Sequence, residues 1–588
     1  MDRIAAAFGP FEPFVRRHAV GIVGAVVALS VVAPLLAPGF TLVYDMVFVP
    51  RPHWSAALLG ISPTYPRAVP TQALVDAAST VVPAAVVQKA ILLFVFGGSV
   101  VGAARLVEGG SVPARVAAGV LYAWNPMTFE RLLLGQWAVL LGYALLPWAV
   151  AAARSFRRRA PGSTGRLVLA LAALTAATPY LGIVGGATAL AVALWPPRDR
   201  PPEARGSGGD GRRALMLLGG AVGVSLVWLI PTILHPSVPD HAGLSVDLFA
   251  ARADAPVGTL GSLVSLGGVW RADLAPPGRS TLVWVPAFAL ILGLGAFGLR
   301  RMGGGWSRGA RRGIVAAAAI GLLVAIAPRV PGLHGAVVWW VRTVPGGGLL
   351  RDSQKFAIPL ALLEAVAFGF GVQRIVERFG RGDRAARALG LALAALPLAL
   401  APTLAWGAGG RLHTASYPAS WSAVQRVTSE DPAPGGILVL PWHAYVPFGW
   451  NHEQTVHQPA PLFFGRPVVA ATRLEFGTIA LPGEDPWSRS ADPVAAGRGP
   501  LASGLPGLGV RYVMLCKEGD WKASSARLVG LDRVLDAPDL ALYRGSYAGP
   551  VPSFPEPPAG AVIGGDVVAL AVVVSATVAA GRTRRRQG

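Results

Sequence analysis

The chain has 588 residues, of which 53% are hydrophobic and only 14% are charged. Soluble domains carry about 25% charged residues, so this composition excludes an ordinary soluble protein and indicates a membrane protein. The net charge of +21 does not indicate a nucleic acid partner, because the arginines cluster in short blocks between apolar runs, as in the cytoplasmic loops of membrane proteins.

Apolar runs that match the length of a membrane span, about 20 residues, recur along the chain. The first run follows basic residues and is predicted to be a retained helix rather than a cleaved signal peptide. The predicted spans are 18–38, 89–107, 113–124, 137–153, 167–178, 180–195, 214–235, a run ending at 300, 313–327, a run ending at 372, 388–406 and 561–580. These make about 12 transmembrane helices in a polytopic protein of the plasma membrane. Both termini are then cytoplasmic, because every dense arginine block falls on that side.

The long segments without a span all lie on the opposite, extracytoplasmic side. Within the transmembrane domain 1–406 they are the outer loops 39–88, 235–280 and 328–355. The first of these loops is predicted to form helices along the membrane surface. Segment 407–560 has strand-like runs at 436–440, 468–471, 511–515 and 540–543, separated by turns. It is predicted to be a small α/β domain, followed by a C-terminal membrane helix and basic tail at 561–588.

The histidines also favour chemistry on the extracytoplasmic side. Eight of them lie there: His53, His235, His241, His334, His413, His443, His452 and His457. Few ionisable residues lie inside the predicted spans, mainly Glu364 and Asp566. An ion-coupled transporter would instead place polar residues near the middle of the membrane.

Asp45 is the candidate catalytic residue, because it is the one acid in the aromatic and proline-rich stretch 39–54. Moving a sugar from a lipid phosphate to a hydroxyl requires a base that accepts the proton of the hydroxyl. One carboxylate near the membrane surface suffices, and Tyr44 and His53 are predicted to support it. The alternative is a solvated loop aspartate without a function.

The outer hairpin 125–136 carries two charges, Glu130 and Arg131, beside an apolar run. Charges near the membrane are costly unless they are paired or used. We therefore predict either an interfacial ion pair or a part of the site. In the second case Arg131 binds the donor phosphate, and Glu130 and Gln136 support the site.

A second cationic segment is Arg351-Asp352-Ser353-Gln354-Lys355. Arg351 and Lys355 are predicted to hold a lipid phosphate, with Asp352 supporting them, because a guanidinium fork and an ammonium both suit phosphate. The alternative is anchoring of a helix end. That role is more common for cytoplasmic cations, so the extracytoplasmic position favours function.

Aromatic residues of the outer segment suit stacking on sugars. Trp442, His443 and Trp450 are accordingly candidates for a weak acceptor-binding surface. Ordinary core and surface roles remain the alternative for each of them. His452-Glu453 with His457 lacks the spacing of a metal motif, and no metal site is predicted.

Several segments resemble actinobacterial members of the GT-C class of integral-membrane glycosyltransferases, related to the membrane half of mycobacterial-type arabinofuranosyltransferases. The resemblance covers residues 20–406. Its motifs are Asn125-Pro126, Glu130-Arg131, Gly135-Gln136-Trp137, Leu141-Gly142-Tyr143, Leu146-Pro147-Trp148 and Leu350 to Phe356.

The resemblance implies a polyprenyl-phosphate sugar as donor, such as decaprenylphosphoryl arabinose or a mannose equivalent, and a cell-envelope glycan or glycolipid as acceptor. Asp45 would be the base, with the donor phosphate near Arg351 and Lys355. Many such enzymes carry paired acids in the first loop, whereas Asp45 precedes Met46 and the next acid is Asp76. No cofactor or divalent metal is therefore expected. The alternatives are a non-catalytic glycolipid-binding scaffold and a lipid-linked-sugar transporter.

Overall fold

A computed structural model of the chain describes residues 12–196, 208–235, 241–303, 305–380 and 383–581. Residues 1–11, the insert 197–207 and the basic tail from 582 lie outside the described residues. In chain order the helices of the membrane part are α1 (Glu12–Val32), α2 (Thr71–Ser79), α3 (Ala84–Leu106), α4 (Val112–Ala123), α5 (Pro126–Leu133), α6 (Trp137–Arg157), α7 (Ser163–Ala177), α8 (Pro179–Leu194), α9 (Gly208–Ile233), α10 (Ala242–Phe249), α11 (Gly258–Val264), α12 (Val285–Arg300), α13 (Arg308–Ile326), α14 (Pro331–Thr343), α15 (Ile358–Arg378) and α16 (Arg384–Ala395).

The later helices are α17 (Ala419–Glu430), α18 (Ala460–Phe463), α19 (Pro486–Ala495), α20 (Trp521–Ser525) and α21 (Ala559–Gly581). The strands are β1 (Phe40–Thr41), β2 (Thr414–Ala415), β3 (Gly436–Leu440), β4 (Tyr445–Pro447), β5 (Thr455–His457), β6 (Val468–Val469), β7 (Leu474–Phe476), β8 (Ile479–Leu481), β9 (Val510–Cys516), β10 (Asp532–Asp536) and β11 (Leu540–Arg544).

The helices are those of a multi-pass membrane protein. Among the described residues, seven are long and apolar enough to cross a membrane, and the bent pair Arg384–Leu400 and Pro402–Gly410 would make eight. Four other predicted spans form helices of only 12 to 16 residues, namely α4, α7, α8 and α12. At about 1.5 Å per residue these are shorter than a hydrocarbon core of about 30 Å. Length and composition therefore support seven or eight spans where the sequence predicted about 12.

The buried fraction of each helix distinguishes the centre of the helical bundle from its periphery. In α15 and the turn before it, 89% of the most apolar window is buried, against 22% in α21. Apolar side chains such as Val567 and Leu570 on α21 are more than half exposed. An exposed apolar helix face is stable where lipid covers it, so α21 has the character of a peripheral, lipid-facing helix.

Segment 39–88 differs from its prediction, because only α2 is a regular α-helix within its first 45 residues. β1 instead pairs antiparallel with β2, so that Phe40 lies opposite Ala415. The backbone N–H and carbonyl of Thr41 are both hydrogen-bonded to the Gln88 side chain, at 3.0 and 2.8 Å. These partners are distant in sequence and leave no local pattern, which is why the prediction of surface helices was wrong for most of this segment.

The segment after the bundle contains the predicted α/β structure. Its five-stranded sheet has the order β10-β11-β9-β3-β6, with β3 parallel to β6 and β9 and the other pairs antiparallel. All four predicted strand runs correspond to strands, and β10 was not predicted. The hairpin β4–β5 projects from this segment toward the membrane part, where Tyr44 bridges to Val456.

Candidate active site

Asp45 lies in a tight turn between the membrane part and the β4–β5 hairpin. The Met46 N–H donates to the Val43 carbonyl at 2.8 Å, and Tyr44 has a φ of 40°. The Tyr44 N–H donates to the Thr455 carbonyl at 2.7 Å, and the Asp45 N–H donates to the Leu134 carbonyl at 3.2 Å. Val43 and Met46 are buried whereas Asp45 is exposed. The turn therefore holds the carboxylate at an accessible surface.

Gly135, between α5 and α6, allows this turn to approach closely. Its φ is +66°, which favours glycine, and a Cβ at this position would lie 2.0 Å from the Val43 carbonyl oxygen. The same Cβ would lie 2.9 Å from the Asp45 nitrogen. Any side chain would consequently displace the Asp45 turn.

The two carboxylate oxygens of Asp45 accept one hydrogen bond each. The Tyr445 hydroxyl donates to Oδ1 at 2.6 Å, and the Gln136 Nε2 donates to Oδ2 at 3.3 Å. Burial, together with the nearby Asp45 charge, raises the pKa of Tyr445 well above its usual value, so the hydroxyl stays protonated. These two donors fix the orientation of the carboxylate.

His457 also lies beside this carboxylate, with its ring 5.3 Å from that of Tyr445. Burial lowers the pKa of His457, against the opposing effect of Asp45. The imidazole is thus held neutral near pH 7. Neither Tyr445 nor His457 was singled out from the sequence as part of the Asp45 site, because the β4–β5 hairpin carries no motif that links it to position 45.

Arg131 lies in α5, a helix that begins with a capping box between Asn125 and Thr128. Its guanidinium donates to both oxygens of Asp352, at 2.6 and 2.9 Å, and to the Gln136 Oε1 at 2.7 Å. It also donates to Gln354. The resulting chain of hydrogen bonds runs from Asp352 through Arg131 and Gln136 to Asp45.

This geometry corrects the predicted role of Arg131. The side chain is only 1% exposed, and both of its terminal nitrogens bind protein groups. It therefore positions Gln136 and Asp352 and does not bind a phosphate directly. Burial would raise the pKa of Asp352, but the charges of Arg131 and Lys355 outweigh it and hold that pKa well below its usual value.

Glu130 is fully buried, and the predicted hairpin around it is a helix. Its Oε2 accepts a hydrogen bond from the Gln354 Nε2. Burial first, and then the negative charge of Asp254, raises the pKa of Glu130 well above its usual value. Asp254 itself pairs with Arg279 at 2.7 Å. Glu130 is consequently a buried acid whose surroundings favour the neutral form, and it does not form an exposed interfacial ion pair.

Lys355 and Arg351, the predicted phosphate ligands, are partly accessible, with side chains 17% and 19% exposed. The Lys355 ammonium lies 3.0 Å from Asp352. Arg351 lies 3.4 Å from Glu484, which also pairs with Arg67. Burial, followed by repulsion from Arg67, lowers the pKa of Arg351 to about 10, so it stays charged at neutral pH.

Cations outnumber carboxylates around Asp45. The four cations of the group are Arg67, Arg131, Arg351 and Lys355. The three carboxylates are Asp45, Asp352 and Glu484. Asp45 interacts electrostatically with Lys355, and Arg351 with Tyr445. The excess of one positive charge beside the carboxylate favours an anionic ligand.

The other predicted residues lie apart from this cluster. Trp442 is only 4% exposed in the core of the sheet, and its indole N–H donates to Asp492 at 2.7 Å. Because its ring is buried, it offers no surface on which a sugar could stack.

The ring of Trp450 packs on the ring of Tyr417, with 5.1 Å between the centroids. His443 lies between two carboxylates, Glu475 at 2.8 Å and Asp520 at 3.3 Å. The exposed His53 lies against Gly465. In the described ranges, no group of three or more His, Cys, Asp or Glu residues could hold a metal ion.

Comparisons with known proteins identify the fold. No protein-family model and no curated protein sequence matches the chain. Its fold is similar to that of a solved membrane glycosyltransferase. A solved structure of arabinofuranosyltransferase AftD from Mycobacteria is similar with a TM-score of 0.60, at 17% identity, over 91% of this chain.

Two structures of a mutant of that enzyme are similar with TM-scores of 0.57 and 0.56, each over 90% of this chain. The chain spans only 40% of the length of the first AftD structure. The resemblance in the sequence is therefore confirmed at the level of the fold.

Proposed function

We propose that the protein transfers a sugar from a polyprenyl-phosphate donor to a glycan or glycolipid acceptor of the cell envelope, on the extracytoplasmic face of the plasma membrane. The observation that carries this proposal is the Asp45 carboxylate, exposed on its turn and oriented by Tyr445 and Gln136. A fixed and accessible carboxylate beside excess positive charge suits a base that works next to a phosphate leaving group.

In the proposed reaction an acceptor hydroxyl donates a hydrogen bond to Asp45. As the acceptor oxygen bonds to the anomeric carbon, Asp45 takes the hydroxyl proton, and the bond from that carbon to the phosphate oxygen breaks. The electrons of the broken bond stay on the polyprenyl phosphate, which is a weak base and needs no general acid. Attack from the side opposite the phosphate inverts the anomeric centre.

Arg351 and Lys355 are the proposed ligands of the donor phosphate. Both are partly exposed and lie in the cluster where cations exceed carboxylates. Negative charge grows on the phosphate as the sugar leaves, so fixed cations stabilise the transition state more than the bound donor.

An apolar groove supports a lipid-linked donor. The groove encloses about 300 Å³ and is lined by residues that include Leu74, Val75, Ile91, Trp137 and Leu141. Trp137 directly follows Gln136, the hydrogen-bond donor to Asp45. We assign this groove to the first isoprene units of the donor, because its wall is apolar and one of its residues, Trp137, is the chain neighbour of Gln136.

The test is the transfer of labelled sugar from synthetic polyprenyl-phosphate sugars by the purified full chain. Asp45→Asn is expected to lower the rate by at least about 100-fold, the order of a general-base contribution, with unchanged thermal unfolding. Asp532→Asn is the matched control, since Asp532 is an exposed aspartate on β10. Its rate should equal that of the wild type.

Near-normal transfer by Asp45→Asn removes Asp45 as the base. Donor binding without transfer by the wild type indicates the glycolipid-binding scaffold instead. Movement of the lipid-linked sugar across vesicles without transfer indicates the transporter.

A further inference from the structure

A polar cavity lies at the other end of the helical bundle from Asp45. It encloses about 470 Å³, within the range of roughly 300–1,000 Å³ for small-molecule sites. Helix α6 begins at Trp137, beside the Asp45 cluster, and Arg154 near its end lines this cavity. The helix rise places these two residues about 26 Å apart. The cavity is therefore separate from the proposed active site.

The wall of this cavity is held in place by a buried arginine. The Arg154 side chain is 2% exposed and donates to the Leu106 carbonyl at 3.1 Å and to Glu108 at 2.8 Å. Its guanidinium lies 4.7 Å from the ring of Trp306, whose indole N–H donates to the same carbonyl at 2.9 Å. Contacts between α3, α6 and the loop before α13 thus give the cavity a preformed wall.

The charges of the cavity are unbalanced. Four arginines line it, Arg105, Arg115, Arg154 and Arg158, against the single carboxylate of Glu108. Hydrogen bonds from Arg158, and the charges of Arg158 and Arg154, hold the pKa of Glu108 below its usual value. Glu108 is therefore ionised at neutral pH and offsets one of the four positive charges.

Two of the arginines are not engaged by that carboxylate. Arg105 lies 4.7 Å from the Trp148 ring, a contact that holds its stem without neutralising its charge. Arg115 makes no ion pair with any residue that the structure describes. Both guanidinium groups line the cavity with donors for an incoming anion.

We propose that this cavity is a binding site for a phosphate group, as a phosphate monoester or diester. Guanidinium groups bind phosphate through paired N–H donors, which selects it over a spherical anion. Basic pockets between membrane helices on the cytoplasmic side bind phospholipid head groups, and the cavity lies beside the arginine block that the sequence predicts to be cytoplasmic. The phosphate comes either from an anionic phospholipid of the adjacent leaflet or from a soluble phosphate. The site is independent of the proposed glycosyl transfer.

The test measures binding to the purified full chain in zwitterionic detergent. Phosphatidylglycerol, phosphatidylcholine and inorganic phosphate are titrated separately, and bound lipid is counted by native mass spectrometry while thermal unfolding reports binding of the inorganic ion. The variant combines Arg105→Gln with Arg115→Gln and keeps the Arg154–Glu108 contacts intact. The control combines Arg300→Gln with Arg312→Gln, which removes the same charge at the same end of the bundle, outside the cavity.

Binding of phosphatidylglycerol but not phosphatidylcholine, weakened roughly 30-fold in the variant and unchanged in the control, supports a lipid head-group site. The same pattern with inorganic phosphate supports a soluble ligand. Equal affinities in the wild type and the variant overturn the proposal, as does an equal loss in the control. Each readout is independent of sugar transfer, so failure here is distinguishable from failure of the proposed function.

Discussion

The Tyr445 hydroxyl donates a 2.6 Å hydrogen bond to the Asp45 carboxylate across 400 residues of sequence. This contact joins the turn after the first membrane helix to the β4–β5 hairpin of segment 407–560. The proposed base is therefore assembled by two parts of the chain that each look unremarkable alone. Segment 407–560 thus contributes a hydrogen-bond donor to the candidate site.

Tyr445→Phe tests this contact. Removing the hydroxyl leaves the Asp45 position intact but lets the carboxylate rotate, so we expect transfer to slow about tenfold while stability falls by about 1 kcal/mol. Transfer rates and thermal unfolding are measured together. Tyr543→Phe, on β11, is the control, and equal effects of the two substitutions would remove Tyr445 from the site.

Asp352→Asn is expected to destabilise the protein strongly. It breaks the buried pair with Arg131 and leaves two cations, Arg131 and Lys355, without their carboxylate, at a cost of about 3–5 kcal/mol. Unfolding in detergent measures this loss. Asp247→Asn is the control, because its ion pair with His334 is largely exposed and should contribute less than about 1 kcal/mol.

The pH dependence of stability follows from the lowered pKa of Asp352. The stability that the Asp352 carboxylate contributes is present above the pKa of about 3.9 that this group has in the unfolded chain. It is lost as the pH falls through the lower pKa of the folded state. Wild-type stability should thus decline below about pH 4, and Asp352→Asn should flatten this decline. Parallel curves for the two proteins would contradict the assignment.

Glu130→Gln should be tolerated, unlike the change at Asp352. The folded state keeps Glu130 protonated above its unfolded pKa of about 4.3, so the wild type loses stability as pH rises from that value toward the raised folded pKa. A glutamine keeps the acceptor for Gln354 and supplies a donor for Asp254 without this loss. At pH 8 the variant should unfold at or above the wild-type temperature. A large drop there would show that Glu130 is charged.

Gly135→Ala should disturb the Asp45 turn. The new Cβ would lie 2.0 Å from the Val43 carbonyl, in addition to the strain of a φ of +66°. We expect a loss of more than about 2 kcal/mol and a slower transfer rate. Gly258→Ala is the matched control, since its φ is +71° with open space around it. Equal losses of stability in the two variants would show that the effect comes from the strain of a positive φ alone.

The membrane helices and the strands of segment 407–560 could be predicted from local sequence patterns. Burial in lipid requires long apolar runs, and such runs correspond to long helices of the membrane part, among them α1, α3 and α21. The strand run 436–440 coincides with β3. The number of spans was less predictable, because α4, α7, α8 and α12 are apolar but short.

Only part of the candidate site could be predicted from the sequence. Asp45, Arg351, Asp352, Lys355, Glu130, Arg131 and Gln136 stood out because charged or polar groups are costly beside apolar runs, and the structure brings them together. Their individual roles depended on partners far along the chain. The Arg131 guanidinium is hydrogen-bonded to Asp352, which lies 221 residues further along the chain. The side chain therefore positions the site rather than binding an anion.

Local composition thus determined that this chain enters a membrane and carries a carboxylate and several cations at one face. Which donors hold Asp45, which cations remain accessible and which acid stays neutral depended on contacts between distant segments. Tyr445, His457, Glu484 and Asp254 reach the cluster only through folding. Hydrogen bonds and pKa values depend on the final surroundings of each group, and a linear pattern does not encode those surroundings.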